Sequence, residues 1–303
     1  MFLSTTVNTK GRPYAPRTIT AYRDAAISFN TRLTKEGVEG DFTVVDTDTL
    51  NRYFRWYLET HDGPAATNTR QRNLHPLFLW LSEDYDHPDP YSGNFRWYSA
   101  SGQSKPRTLT RSFISDLLKV TGNGSPRVRD FETVRDHAMI RMLTEGLRAE
   151  ELMSLTLGTV DLIRGVVSVI PLKEARATGI GRTVPIQPAT VQAVRRYLRV
   201  RQSHRYAETE WLWLGTRNRG HLKYAGLYRM LRRCAERAGY DPSAVSPHAF
   251  RHTWAGDLLE AGVSSVDVMT AAGWTSSEML RRYGADTATE RAISAVHRLG
   301  SRY

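Results

Sequence analysis

The sequence predicts a mainly α-helical chain with one small antiparallel β-sheet, divided into two domains. Three observations carry this. Apolar residues recur at helical spacing through most of the 303 residues, while β-branched runs concentrate in the second half. Over residues 83–107 the composition turns to Pro, Gly, Ser and Asp, which marks a boundary. Charge divides at the same place. Residues 1–105 carry 12 Lys+Arg and 12 Asp+Glu, and residues 106–303 carry 30 and 19. The whole formal charge of +11 thus sits in the second part, which points to a phosphate-rich partner.

Residues 1–16 are polar, with Pro13 and Pro16, and are expected to form a flexible arm. Thr18 is expected to cap a first helix with the stripe Ile19, Tyr22, Ala26, Phe29 and Leu33, ended by Gly37. A second helix fits 47–60, where Leu50, Phe54, Tyr57 and Leu58 share a face. A third fits 65–82, with Pro76 expected to kink or interrupt it. These helices define a bundle over 17–98, followed by a Ser/Gly/Pro linker at 99–107.

The second domain, 108–303, opens with Thr110 capping a helix of Phe113, Leu117 and Leu118. A longer helix fits 130–145, and a third begins near Arg148. Val166–Ile170 and Arg182–Ile186 read as strands joined by the basic tip PLKEARATGIG. Helices return at 188–202 and 222–238, with WLWL (211–214) as a buried strand or turn between them. The last helices are expected at 247–261, 264–272, 275–283 and 287–299.

A single cysteine, Cys234, rules out an intrachain disulfide and a Cys-based zinc site. No apolar run approaches membrane-spanning length, and the start MFLSTTVNTK lacks the apolar core of a signal peptide. A cytoplasmic, nucleoid-associated protein of a bacterium is expected, with no membrane partner.

Four stretches could carry chemistry. In TEGLRAEELMSL (144–155), Arg148 follows a glycine at a helix junction. Glu151, three residues on, could hold a neighbouring side chain while Arg148 points elsewhere; the spacing also suits a surface ion pair. Lys173 lies near the start of the hairpin tip, flanked by Arg176 and Arg182. It could reach across a groove, or be a solvated loop residue. In HAFRH, His248 and Arg251 share a helical face. His248 and His252 lack the Glu of a metalloprotease HExxH pair, because Ala249 stands there. Tyr283 is one tyrosine of 14, distinguished by Arg281, Arg282 and the preceding Trp274. Arg17, Arg70 and Arg72 near helix starts, Lys105 and Arg107 in the linker, and Arg176 are candidate contacts to the phosphates of a partner, although solvated surface charge is the more common reading of any one of them.

Together GLRAEEL (146–152), Lys173 between two strands, HAFRHT (248–253), GW (273–274) and Tyr283 resemble the tyrosine recombinase, or phage-integrase, family. Order and spacing agree over 108–303. The helical first domain is similar, by pattern, to that family's SAM-like core-binding domain. Trp274 stands where many members have histidine. Its indole N–H can donate a hydrogen bond or pack as a buttress, but cannot exchange a proton.

The resemblance implies that Tyr283 attacks a scissile phosphate to give a 3′-phosphotyrosine and a free 5′-hydroxyl. Arg148 and Arg251 would clamp the phosphate, His248 would bond it or assist proton transfer, and Lys173 would protonate the leaving oxygen. Glu151 would support these from behind. No metal or ATP is expected. The implied partners are double-stranded DNA carrying core-type sites, a homotetramer passing through a Holliday junction, and accessory bending or directionality factors. The tail 287–303 is expected to dock on a neighbouring protomer or on its own domain. Length aligns the chain with two-domain Xer- and Cre-like members or short phage integrases. The expected function is site-specific recombination for phage or mobile-element integration; Xer-like resolution of chromosome or plasmid dimers, a type IB topoisomerase-like enzyme and a non-catalytic DNA-binding protein are the alternatives.

Overall fold

In the computed structural model, residues 13–38, 41–61, 63–85, 87–98, 108–122, 127, 130–169, 181–216, 219–274, 293 and 296–297 are described. The chain divides into two compact units, 1–103 and 104–303. The expected linker 99–107, the hairpin tip up to residue 180, the expected helix 275–283 and all of the tail 287–303 except 293 and 296–297 lie outside the described residues.

The first unit is helical. Helix α1 (Pro16–Lys35) begins on Pro16, with Ala15 as its N-cap. This corrects the expected cap at Thr18 and the extent of the arm: a proline in the first turn has no N–H to leave unsatisfied and its φ suits the helix. Helix α2 (Thr47–Thr60) starts where Asp46 accepts a 2.8 Å hydrogen bond from the Thr49 N–H. Helix α3 (Gly63–Tyr85) continues through Pro76, so of the two expected effects the interruption does not occur. Its faces are held by burial of Leu74, Phe78 and Leu81 against Phe29, Leu50 and Phe54. Each such side chain contributes about 1.5–3 kcal/mol, so one missing backbone bond does not stop the helix. The turn-rich stretch after α3 packs back on this core through Tyr91 and Phe95. Buried Gln71 fixes it, donating to the Arg96 carbonyl and accepting from the Tyr98 N–H.

The second unit is built around its second helix. Helix α4 (Arg111–Val120) is capped by Thr110, whose Oγ1 accepts from Phe113 N–H at 3.2 Å. Helix α5 (Phe131–Leu143), capped by Asp130, is buried on nearly every side over 134–143. A helix so enclosed must pair its charges. Arg135 accordingly bonds Asp136 and the Leu214 carbonyl, and Arg233 bridges Asp136 and Glu132.

After the single turn of α6 (Ala149–Met153), three antiparallel strands follow: β1 (Val160–Asp161), β2 (Val166–Val169) and β3 (Arg182–Pro185), in spatial order β1-β2-β3. Val167 pairs with Val184 across the hairpin, and both are buried. Strand β1 is an addition to the expected pair; two residues are too short for a periodic signal. Helix α7 (Pro188–Arg201) packs on α5. Its buried Arg201 bonds the carbonyls of Ala207, Thr209, Trp211 and Leu212, closing the following loop. In WLWL, Leu212, Trp213 and Leu214 are buried and Trp211 is half-buried, with bridges from Trp211 to Thr156 and from Leu214 to His221. Helices α8 (Tyr224–Arg237), α9 (Pro247–Glu260) and α10 (Ser265–Ala272) follow. Cys234 is buried on α8, and burial pushes its thiol up to about 12.

Candidate functional site

Two glycines set the site's backbone. Gly146 ends the α5 exit turn at φ +80°, and a Cβ there would overlap the Trp254 ring. Gly146→Ala therefore faces both a left-handed conformation and an aromatic wall. We expect it to destabilise the fold by about 2 kcal/mol or more, read as a lowered urea midpoint. Gly273 closes α10 in the left-handed region at φ 59°, ψ 49°, where a Cβ would come only into ordinary contact with Arg182 and Arg148.

Between these glycines sit three arginines and one carboxylate. Arg148, at the N-cap of α6, donates its backbone N–H to Glu151 Oε2 and its Nη1 to Glu151 Oε1, both at 2.7 Å. Its Nη2 donates to the Gly273 carbonyl at 2.7 Å. Arg148 thus turns toward Glu151, as the ion-pair alternative has it, although Glu151 is buried and the pair is not a surface one. The reason is local: a carboxylate at the third helical position reaches back to the unsatisfied N–H groups of its own helix start. Arg182, at the head of β3, reaches Glu151 with both terminal nitrogens, at 2.6 and 2.8 Å, and donates Nε to the Ala271 carbonyl at 3.2 Å. Arg251, on α9 and 2% exposed, donates to the Gly146 carbonyl at 2.5 Å and to the Ala272 carbonyl. Three successive carbonyls at the C-terminal end of α10, Ala271, Ala272 and Gly273, therefore each receive a different arginine. Helix ends carry unsatisfied carbonyls and partial negative charge, so guanidinium groups are favoured there.

The electrostatics follow from this crowding. Burial alone would raise Glu151, which is 3% exposed, yet the hydrogen bonds from Arg182 and Arg148 hold it down at about 2. A depressed carboxylate stabilises the fold above its unfolded value of about 4.5 and loses that contribution as pH falls toward 2. The shift corresponds to about 3 kcal/mol. Glu151→Gln should lose about that much at neutral pH, and its deficit against wild type in denaturant melts should shrink as the buffer is made more acid. Arg251 is lowered to about 9 by burial and then by Arg148, and stays cationic at neutral pH.

His248, on α9, is lowered from its ordinary value by burial, then by Arg251 and Arg148, so it is neutral at pH 7. One flank of its ring meets His252 edge-on at 3.9 Å, and the residue remains open to solvent. Trp274 is 9% exposed, lies 5.3 Å from the Arg251 guanidinium carbon, and packs with Ala255, Leu259, Val268 and Ala272.

Arg148, His248, Arg251 and Trp274 line one open cleft, together with Tyr224 and Tyr228 of α8. Of the residues expected at the site, these four and Glu151 are brought together. Lys173, Arg176 and Tyr283 lie outside the described residues, as do Lys105 and Arg107. Arg17 is exposed in the first turn of α1. Arg70 and Arg72 are not near a helix start, because α3 begins at Gly63. Arg70 instead lies over the Tyr57 ring and donates to its hydroxyl at 3.2 Å, while Arg72 is exposed. Two features go beyond the sequence expectation. Arg182 reads there only as a neighbour of Lys173, although its place at the head of a strand is a signal. The Tyr224–Tyr228 pair, with hydroxyls 3.2 Å apart, shows an i, i+4 spacing that the sequence displays. Among the described residues, no three His, Cys, Asp or Glu side chains converge in a way that could hold a metal ion, and no helix is long and apolar enough to cross a membrane.

Comparison with known proteins gives a consistent picture. The sequence model of the phage integrase family matches residues 107–290. The chain is 31% identical over 255 residues to the tyrosine recombinase XerD of Ralstonia nicotianae, covering 82% of this chain and 77% of that protein. It is 29% identical over 241 residues to XerD of Xanthomonas campestris pv. campestris, covering 75% and 70%. The fold is similar to the XerH site-specific recombinase bound to palindromic difH substrate in a post-cleavage complex. There the TM-score is 0.72 at 17% identity, over 94% of this chain and 80% of that one.

Proposed function

The chain belongs to the phage integrase family, the tyrosine recombinases, and from that premise we propose that it is a site-specific DNA recombinase for phage or mobile-element integration. Members of the family cleave and rejoin DNA by transesterification at a tyrosine. The observation that carries the reading is the cleft itself. Arg148 and Arg251 enter it from different helices beside His248 and Trp274, and Glu151 and the α10 carbonyls fix their direction.

Each residue takes a role from its chemistry. The Tyr283 phenol, with an ordinary pKa of about 10, needs a base to become a nucleophile. His248, neutral at pH 7, accepts that proton or bonds the phosphate. The Tyr283 oxygen bonds to phosphorus, and the bond from phosphorus to the 5′-oxygen breaks. Lys173 protonates the departing oxygen, leaving a 3′-phosphotyrosine. Arg148 and Arg251 take up the charge that develops on the non-bridging oxygens, with donors already oriented. Trp274 buttresses Arg251 and can donate one indole hydrogen bond to the phosphate. Attack by the 5′-hydroxyl of another strand reverses the chemistry and joins new partners. The phosphotyrosine conserves bond energy, so no ATP is required, and the guanidinium pair does the work that a metal ion does in two-metal nucleases.

On this reading double-stranded DNA with core-type sites is the partner, and two sites are joined in a homotetramer through a Holliday junction. Accessory bending or directionality factors set the outcome. The setting is the cytoplasm of a bacterial cell, at the nucleoid. The core-binding unit 17–98, with Arg17, Arg70 and Arg72, the linker residues Lys105 and Arg107, and Arg176 of the hairpin tip contact backbone phosphates. The XerD relatives support a second reading, resolution of chromosome or plasmid dimers.

The test is recombination between two copies of a DNA repeat adjoining the gene, assayed in EDTA. Integration predicts joining of two unlike sites, and dimer resolution predicts excision between identical direct repeats. Loss of all strand exchange in EDTA, with recovery on added Mg²⁺, would overturn the metal-free mechanism.

A further inference from the structure

Arg182 is absent from the lining of the cleft, yet all three of its guanidinium nitrogens bond to groups that build it. It sits at the head of β3, immediately after the segment that carries Lys173. Both terminal nitrogens grip Glu151, and its Nε holds the Ala271 carbonyl. The side chain is 16% exposed and Glu151 is 3% exposed, so the pair is shielded from solvent. Arg182 is therefore one side chain that joins three separate pieces of the site: the strand leading from Lys173, the carboxylate that aims Arg148, and the helix end that leads into Trp274.

We propose that Arg182 is a positioning residue for strand cleavage: it touches no DNA, and it locks Glu151 and the end of α10 so that Arg148 and Arg251 hold their donors toward the scissile phosphate. This inference rests on the recombinase reading above. The physical reason for an arginine is geometric. A planar fork can bond both carboxylate oxygens and still spend its Nε on a carbonyl, which a lysine ammonium cannot do in one fixed orientation. Without Arg182, Glu151 remains buried but keeps Arg148 as its direct partner, with Arg251 the next cation and His248 beyond it. Burial then lifts the carboxyl toward the mildly acid range. Once protonated, Glu151 no longer fixes Arg148.

The experiment measures single-turnover covalent capture of a nicked duplex carrying the recombination site, as a function of pH. Wild type, Arg182→Ala, Arg182→Lys, Glu151→Gln and the double variant Arg182→Ala/Glu151→Gln are compared, each with a thermal melt and a DNA affinity. Capture by wild type that disappears in Tyr283→Phe establishes the underlying reading on its own. Given that, Arg182→Ala should capture about 10²-fold more slowly, as for lost preorganisation of a charge-stabilising donor, with DNA affinity within a few-fold of wild type. Its acid limb should also lie at higher pH than that of wild type, whose own limb comes from His248, and the double variant should return it to the wild-type position. Arg182→Lys should fall between. If Arg182→Ala melts below the assay temperature, Arg182→Lys carries the same comparison. A rate and pH profile equal to wild type in a folded Arg182 variant would overturn the proposal. So would a loss confined to DNA affinity, or an upward shift of the acid limb that persists when Glu151 is Gln.

Discussion

Tyr283→Phe is expected to bind its DNA site as tightly as wild type and to form no covalent adduct. The substitution deletes one oxygen, the atom assigned as nucleophile, and leaves the ring to pack. With the nucleophile gone, the arginine clamp has no step to accelerate, and cleavage should drop by about 10⁴-fold or more. Gel shift measures the first quantity, and denaturing electrophoresis of protein–DNA adducts measures the second. Among the 14 tyrosines, Tyr224 and Tyr228 line the cleft and offer the sharpest control. Phe at either of these should leave adduct formation intact. An adduct that survives in Tyr283→Phe and vanishes in Tyr224→Phe or Tyr228→Phe would move the nucleophile to α8.

Arg251→Lys should be the most damaging conservative change. Arg251 bridges the Gly146 and Ala272 carbonyls from a position that is 2% exposed, beneath Trp274. A lysine retains charge but cannot satisfy both carbonyls and still present a fork to phosphate. Cleavage should fall by about 10²–10³-fold, the scale seen for loss of one preorganised charge-stabilising donor. Leaving a buried carbonyl unpaired costs about 1–3 kcal/mol, so the melting temperature should drop too. Arg148→Lys should cost less stability, because that side chain is 40% exposed. Quench-flow rates and thermal melts of both variants on one suicide substrate separate catalytic loss from folding loss.

Local signals make most of the fold legible in the sequence. Helices α2, α4 and α9 begin at Asp46, Thr110 and Ser246, short polar caps that stand beside apolar periodicity. The HAFRH spacing by itself puts His248 and Arg251 on one helical face. Long-range pairing is not legible. Arg182 and Glu151 are far apart in sequence, and no periodicity links a strand head to a helix start. The convergence of Arg148, Arg182 and Arg251 on successive carbonyls of α10 depends on where α10 ends, which only the packed chain fixes. Pro76 misleads for a related reason: propensity marks a break, and burial on both sides of it outweighs the lost hydrogen bond. Thr18 resembles a cap because it is a threonine before an apolar stripe, while Pro16 supplies an earlier start.

The most direct measurement is mass spectrometry of the adduct trapped on a suicide substrate nicked beside the cleavage position, prepared in EDTA. The account predicts one cross-linked peptide, containing Tyr283 joined to a 3′-phosphorylated nucleotide, and a released strand with a free 5′-hydroxyl. A 5′-phosphate on the released strand, or a cross-link on any other residue, would contradict it.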